Sequence, residues 1–331
     1  MSLPKIQKAI LQPDMNSTAV ILTTDPVPTP SPNTTQHLIR VHATAITNGE
    51  LLWNKNFPLP ASLASQKRLI PCNDVAGTVV LAPPNSPFPA GTEVYARSSY
   101  LRTGCAREYS ILLTEEMARR PKRMSWAESA TVPMSVETAF QALFVHAGFQ
   151  FREGEGMRGK RVFVTAAAGG VGTWVVQLAR WAGAEVVGTC GSRNLESVRG
   201  LGAIEVLDYS KTDVRTWAQG EGKQVDLVID CIGGKALEDS WWAVKDEGRI
   251  ISIFQSPEDV KPKGLLMEIK NEFFVMSSNG EQLQAVTELI DAGFGRTGMD
   301  SVFAFDQFED AFARLASGKA SGKVVLDLGI S

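Results

Sequence analysis

The chain has 331 residues, of which 44% are hydrophobic and 21% are charged, and its formal net charge at pH 7 is -3. A chain of this length usually forms more than one hydrophobic core, so two domains are expected. The net charge shows no excess of basic residues for binding nucleic acid or an anionic membrane. The N-terminus lacks the apolar core of a signal peptide, and no run approaches the roughly 20 apolar residues of a membrane span, so a cytoplasmic protein is expected.

The first part of the chain, residues 1–123, consists of short segments with alternating apolar and polar residues. They include HLIRVHATAI, DVAGTVV, TEVYARS and REYSILL, and two proline-rich stretches interrupt them. Short strands separated by frequent turn signals predict a β-rich domain.

From residue 124 to residue 272, apolar strands alternate with helical stretches. The strands are RVFVTA, EVVGTC, AIEVLDY, VDLVIDC and RIISIF. This alternation predicts an α/β domain with a doubly wound parallel sheet. Residues 273–331 contain two helical stretches and a final strand, KVVLDL, and we expect them to return to the first domain.

The segment TAAAGGVG lies between the first of these strands and an apolar helix. Gly169 and Gly170 allow a tight turn and a close approach to a pyrophosphate, while Gly172 lets the helix pack against the strand. The helix N-terminus carries a partial positive charge that suits an anion. In this context the motif predicts a dinucleotide site; a glycine-rich turn without a ligand is the alternative. The expected contacts in the loop are Ala168, Gly169, Gly170 and Val171.

The end of the second strand decides which dinucleotide is expected. An Asp or Glu there would bind the ribose 2'-hydroxyl of NAD, but this strand ends EVVGTCGSRN, without a carboxylate. Ser192 and Arg193 offer instead a hydroxyl and a guanidinium, which suit a 2'-phosphate. The sequence therefore favours NADPH as cofactor. The alternative is that both residues only cap the next helix and face water.

Six segments together carry a family resemblance: AAAGGVG, VPMSVETAFQALF, GCAREY, DLVIDCIGG, FFV and SGKVVL. They resemble the medium-chain dehydrogenase/reductase superfamily, in its zinc-independent branch of quinone and enoyl reductases. The resemblance implies a GroES-like catalytic domain built from both chain ends, a Rossmann domain between them, a cleft for NADP(H) and a homodimer joined through the Rossmann sheet.

The resemblance also identifies the positions at which zinc-dependent members hold their metal. Here these positions carry Thr47, Asn73 with Asp74, and Met134. Thr, Asn and Met are not normal zinc ligands, the four cysteines form no CxxC pair, and the three histidines lack ligand spacing. A site without a metal is expected.

Without a metal, reduction of a simple ketone lacks its main electrostatic support. Addition of hydride to a C=C bond conjugated to a carbonyl places the charge on an enolate oxygen, which a few hydrogen-bond donors can hold. We therefore expect NADPH-dependent reduction of an enone, an enoyl thioester or a quinone, with a small-molecule substrate. Two alternatives stay open: a trans-acting enoyl reductase of a polyketide pathway with a carrier-bound substrate, and a catalytically weak NADPH-binding redox sensor or scaffold.

Three residues are candidates for catalysis. Thr138 matches the family threonine near the nicotinamide, although a buried helical threonine can also bond to its own backbone. Asn48 lies next to Thr47, where related reductases have their asparagine, and Glu50 follows where they have an aspartate. Tyr100 lies on an expected loop over the cleft and is a candidate proton donor, with an exposed loop tyrosine as the alternative.

The resemblance and the strand ends supply the other cofactor contacts. Tyr209 matches a family tyrosine beside the adenosine phosphate. Ligands of open α/β sheets collect at the carboxyl ends of the parallel strands. The residues expected there are Cys231, Ile232, Ile253, Phe254, Phe274 and Val275.

Overall fold

The computed structural model describes residues 3–64 and 67–329. The chain divides into two compact units: the first runs to Met134 and resumes at Ser277, and the second is Ser135–Met276. No helix of the described residues is long and apolar enough to cross a membrane.

The strands in chain order are β1 (Ile6–Leu11), β2 (Ile21–Pro26), β3 (Gln36–Ile46), β4 (Asp74–Leu81), β5 (Glu93–Arg97), β6 (Tyr109–Leu113), β7 (Met117–Arg119), β8 (Arg161–Val164), β9 (Glu185–Cys190), β10 (Glu205–Asp208), β11 (Val225–Asp230), β12 (Val244–Ser252), β13 (Lys270–Phe273), β14 (Met299–Ala304) and β15 (Lys323–Asp327). The α-helices are α1 (Trp53–Asn56), α2 (Ala61–Ala64), α3 (Trp126–Ala130), α4 (Pro133–Phe140), α5 (Gly170–Trp181), α6 (Leu195–Gly200), α7 (Val214–Ala218), α8 (Gly234–Ser240), α9 (Gly280–Asp291) and α10 (Phe308–Ala316).

The main sheet of the first unit has seven strands in the order β14-β15-β3-β4-β5-β7, with β6 paired to β3. Strand β15 runs antiparallel to β3, with Val324 opposite Ile46. The C-terminal segment therefore completes the sheet that the N-terminal segment begins. Strands β1 and β2 form a separate antiparallel ribbon.

The second unit contains a six-stranded parallel sheet in the order β10-β9-β8-β11-β12-β13. The strand order reverses between β8 and β11, which is the point where doubly wound sheets bind ligands. Its core includes Phe163, Val228, Trp241 and Ile250, all buried. The Rossmann fold predicted from the strand–helix alternation, together with a β-rich domain, is confirmed.

The boundary between the two units lies about ten residues further along the chain than the sequence pattern indicates. Helix α3 causes this difference because it packs against β3 and β4 of the first unit. Ser125 and Glu128 cap this helix reciprocally: the Ser125 hydroxyl accepts the Glu128 N–H at 3.2 Å, and the Glu128 carboxylate accepts the Ser125 N–H at 2.8 Å.

Candidate nucleotide site and active-site residues

The glycine-rich segment forms a tight turn between β8 and α5. Ala166 has a left-handed backbone with a φ of 47°, and its carbonyl accepts the Gly169 N–H at 2.8 Å. A Cβ added to Gly172 would lie 2.3 Å from that same carbonyl oxygen, so only glycine fits there. Helix α5 begins at Gly170, and the N–H groups of its first turn are not used by the helix itself. Backbone donors arranged in this way suit an anion.

The next strand also packs closely beneath this loop. A Cβ on Gly188, in the middle of β9, would lie 2.8 Å from the Ala167 side chain. Val175, Val176 and Leu178 of α5 are completely buried. The helix that presents the loop is therefore held rigidly against the sheet.

Ser192 and Arg193 lie in a short 3-10 turn directly after β9, and both are exposed. The Ser192 hydroxyl donates a hydrogen bond to the carboxylate of Asp208, the last residue of β10. The prediction that no carboxylate is available at this position is therefore wrong. None follows β9 in the sequence, but the neighbouring strand of the sheet brings one.

Asp208 is held by several donors. The Ser210 hydroxyl and backbone N–H reach its carboxylate at 2.7 and 3.0 Å. Hydrogen bonds from Ser192 and then from Ser210 lower the pKa of Asp208 to about 2, so it is ionised at neutral pH. Tyr209 is 68% exposed, and a Cβ on Gly191 would lie 3.4 Å from its phenol oxygen, which places the ring beside the end of β9.

A buried aspartate organises the strand ends at the centre of the sheet. Asp230, the last residue of β11, is fully buried and accepts the Thr165 hydroxyl at 2.7 Å and the Ser252 hydroxyl at 2.8 Å. The Thr165 oxygen in turn accepts the Cys231 N–H at 2.8 Å. This network was not predicted from the sequence. The available signal was a polar residue at the carboxyl end of each of three strands: Thr165 directly after β8, Asp230 on β11 and Ser252 on β12.

The predicted strand-end residues lie where the parallel strands finish. Ile232, Phe254 and Val275 are exposed, with Phe254 61% exposed. Phe274 differs because its side chain is buried and stacks on His146, with ring centroids 4.0 Å apart. Apolar side chains thus lie along the carboxyl ends of the parallel strands, which is also where the turn between β8 and α5 lies. The half-buried members of the set are Cys231 and Ile253.

Thr138 is buried in α4, which continues as a π-helical segment over Gln141–His146. The structure thus places Thr138 in the second unit, whereas Asn48 and Tyr100 lie in the first. That these three residues act together in one site stays a prediction.

In the first unit, a buried ion pair occupies the positions that the family resemblance links to zinc. The Lys323 ammonium lies 2.7 Å from the Asp74 carboxylate and donates to the Thr47 hydroxyl at 2.8 Å. The other Asp74 oxygen accepts the Met134 N–H at 2.7 Å. Lys323 and Asp74 are both buried. Lys323 was not predicted from the sequence, although a lysine at the start of the apolar strand KVVL was a usable signal.

The side chains at the positions linked to zinc, Thr47, Asn73, Asp74 and Met134, do not form a zinc site. The Thr47 hydroxyl donates to the Met134 sulfur at 3.3 Å, and the Asn73 side chain donates to Ser98 at 3.1 Å. The one carboxylate of the set already neutralises an ammonium group, and zinc prefers Cys, His and unpaired carboxylates. Within residues 3–64 and 67–329, no group of three or more His, Cys, Asp or Glu side chains could hold a metal ion.

Glu50 lies close to this ion pair and is itself buried. Neither oxygen of its carboxylate has a hydrogen bond of ordinary geometry in the described residues, although the backbone amides of Thr47 and Cys72 lie near enough to moderate its charge. Burial raises the pKa of Glu50 to about 8, and the positive charge of Lys323 opposes this rise. Glu50 is therefore largely protonated at neutral pH.

A small cavity of about 20 Å³ lies beside Glu50, and Asn54, Lys67 and Asn73 are among its lining residues. The Lys67 ammonium donates to the Asn54 side chain at 2.7 Å and to the backbone carbonyl of Tyr100. Burial lowers the pKa of Lys67 to about 8.

The other two first-unit candidates differ in exposure. The Tyr100 ring is half-buried and packs edge-on against Trp53, whereas Asn48 is exposed in the turn that follows β3.

Known proteins resemble this chain over nearly its whole length. A family model described as zinc-binding dehydrogenase matches residues 201–326. A probable zinc-binding oxidoreductase, mitochondrial, of Arthroderma benhamiae is 46% identical over 98% of each chain. The chloroplast envelope quinone oxidoreductase homolog of Arabidopsis thaliana is 32% identical over 91% of this chain and 92% of its own.

A solved structure agrees with this relationship at the level of the fold. The quinone oxidoreductase from Coxiella burnetii superimposes with a TM-score of 0.79 at 23% identity, over 98% of this chain and all of the other. The chain belongs to the medium-chain dehydrogenase/reductase superfamily, in its quinone oxidoreductase branch.

Proposed function

We propose that this oxidoreductase uses NADPH to reduce a C=C bond conjugated to a carbonyl, in an enone, an enoyl thioester or a quinone, without a metal ion. The observation that carries this proposal is the ion pair between Lys323 and Asp74, with Thr47 bound to the same ammonium. By the family resemblance, Thr47 and Asp74 stand where a zinc-dependent relative would bind its metal, and here both side chains bind the Lys323 ammonium instead.

The residues of the second unit suit a nicotinamide dinucleotide, which supplies a hydride when bound. The turn before α5 would hold the pyrophosphate on its backbone N–H groups. Arg193 would supply the charge for a 2'-phosphate, beside Ser192 and the exposed ring of Tyr209. The apolar strand ends would line the rest of the dinucleotide, and Thr138 is the candidate residue at the nicotinamide.

The choice of a conjugated acceptor follows from charge. Reduction of an isolated carbonyl builds an alkoxide, which needs strong stabilisation, whereas reduction of a conjugated C=C bond builds a delocalised enolate. Hydrogen-bond donors are sufficient for the enolate, and Asn48, Tyr100 and Thr138 are the candidates. A quinone is a conjugated acceptor too, so the name of the Arabidopsis relative supports the same class of substrate.

The test is a comparison of NADPH consumption with quinones, short enones, enoyl thioesters and the matching saturated ketones, before and after dialysis against a chelator. We expect turnover with at least one conjugated acceptor, none with the saturated ketones, and no loss after dialysis. Turnover of saturated ketones that disappears on dialysis and returns with zinc contradicts the proposal.

The cytoplasmic location stays a prediction, since the two curated relatives are named for the mitochondrion and the chloroplast envelope. Fractionation of cells that produce the full chain tests it.

A further inference from the structure

We propose that Asp208 limits the preference of the nucleotide site for NADPH over NADH, because it binds the only proton of the Ser192 hydroxyl. This inference rests on the proposed function, since it concerns the same nucleotide site. It assigns a selectivity role to a residue of β10, not to the segment after β9 from which the preference for NADPH was predicted.

The sheet register brings the two residues together. Asp208 is paired with Cys190, the last residue of β9, and Ser192 follows two residues later. The Ser192 hydroxyl donates to one oxygen of the Asp208 carboxylate, and the Ser210 hydroxyl donates to the other at 2.7 Å. The Lys211 ammonium lies 3.6 Å from the same oxygen that Ser192 contacts. Asp208 is only 6% exposed. The hydrogen bonds from Ser192 and Ser210 hold its carboxylate in this position.

The chemistry of the hydroxyl gives the consequence. A serine hydroxyl has one proton to donate and two lone pairs that accept. A 2'-phosphate has only acceptor oxygens, so it needs donors, and Ser192 cannot donate to it while its proton is on Asp208. A ribose 2'-hydroxyl can instead donate to a lone pair of Ser192. The arrangement therefore suits NADH, and the carboxylate repels a 2'-phosphate as a like charge.

Arg193 is then the main donor for a 2'-phosphate. It is exposed, and in the described part of the chain no carboxylate lies within ion-pair distance of it. The Arg193 guanidinium is set against the Asp208 carboxylate, whose charge the exposed Lys211 ammonium offsets in part at 3.6 Å. This balance predicts a modest preference for NADPH, with measurable use of NADH. The segment after β9 alone predicts a stronger preference for NADPH, because it contains Ser192 and Arg193 but not the opposing carboxylate, which lies on β10.

The first experiment is calorimetric titration of the full chain with NADP+ and NAD+, repeated with the fragments 2',5'-ADP and 5'-AMP. Asp208→Asn keeps the shape of the side chain and removes its charge. We expect it to raise the NADP+ to NAD+ affinity ratio about tenfold, the size of one hydrogen bond to a charged group. Glu196→Gln is the matched control, because this carboxylate lies on α6 with its side chain 88% exposed, and we expect it to leave the ratio unchanged.

A double-mutant cycle isolates the Ser192 proton. In the parent, Ser192→Ala is expected to change NADP+ affinity by less than about twofold, because the proton is already used. In the Asp208→Asn background the same change is expected to remove most of the gain. A tenfold loss from Ser192→Ala in the parent, or an unchanged ratio in a folded Asp208→Asn variant, overturns the inference.

These titrations separate the inference from the proposed function. If the nucleotide affinities behave as expected but no conjugated acceptor is reduced, the proposed reaction is wrong and the role of Asp208 stands. If the parent binds neither nucleotide, both proposals are wrong.

Discussion

At the scale of single residues, the buried carboxylate of Glu50 has the clearest thermodynamic consequence. Its pKa lies near 8 in the folded chain because burial disfavours the charged form, against an ordinary value of 4.5. The folded state therefore keeps a proton that the unfolded state releases. Stability linked to Glu50 is fully present below the ordinary pKa and is lost as pH rises through the raised one.

We predict that Glu50→Gln removes this pH dependence. The free energies of unfolding of parent and variant should be similar near pH 5, and the variant should be more stable near pH 9 by about 2–4 kcal/mol, at 1.36 kcal/mol per pKa unit. Urea unfolding at several pH values measures the difference. The same substitution at the exposed Glu153 should leave the pH dependence unchanged. A parallel pH dependence for parent and Glu50→Gln would contradict the buried-acid assignment.

A second residue-scale prediction concerns Arg193. If its guanidinium is the main donor for a 2'-phosphate, Arg193→Ala should weaken NADPH binding about tenfold or more and leave NADH binding nearly unchanged. The Michaelis constants for the two nucleotides measure this. Arg215→Ala, an exposed arginine that lies over Trp242, serves as the control for a general loss of positive charge. An equal change for both nucleotides would assign Arg193 to helix capping instead.

At the scale of secondary-structure elements, β15 carries a charged residue into a buried layer. Lys323 begins this strand and pairs with Asp74, the first residue of β4, which lies 249 positions away in the sequence. Strand β3 lies between them in the sheet. The ion pair therefore ties the C-terminal strand to the N-terminal ones.

We predict that Lys323→Met destabilises the protein by about 3–5 kcal/mol, because it leaves Asp74 buried without its partner. The double variant with Asp74→Asn should recover a large part of this loss, since no unpaired charge then remains. Chemical denaturation of the parent and the two variants measures both effects. A small loss in the single variant, or no recovery in the double one, would show that the pair does not hold the strand.

The elements also explain what the sequence could reveal. Strands β8, β9 and β11 and helix α5 follow from local patterns, because apolar runs and periodic faces are recorded in consecutive residues. The turn before α5 was predictable for the same reason. The hydrogen bond from Ser192 to Asp208 and the Lys323–Asp74 pair were not predictable, since strand register brings together residues that are remote in the chain.

At the scale of the whole molecule, we propose a homodimer joined through the edge of the parallel sheet. Strand β13 ends the sheet and pairs on one side only, with β12, in the described residues. An unpaired strand edge is a template for pairing with another chain. The family resemblance implies this mode of association.

We predict that the parent has the mass of a dimer in size-exclusion chromatography with light scattering. Phe273→Glu, on β13, should shift the mass toward that of a monomer because it places a charge at the edge strand. Phe57→Glu is the matched control, since Phe57 is exposed in the first unit. A monomeric parent at micromolar concentration would contradict the proposal.

The most direct measurement of the central claim follows a deuterium atom. The metal-depleted protein is incubated with NADPH that carries deuterium on the transferable position of the nicotinamide, together with an α,β-unsaturated ketone, and the product is analysed by NMR. We predict deuterium on the β-carbon of a saturated ketone, with the carbonyl intact. Deuterium on the carbinol carbon of an allylic alcohol, formed only when zinc is restored, would contradict the account.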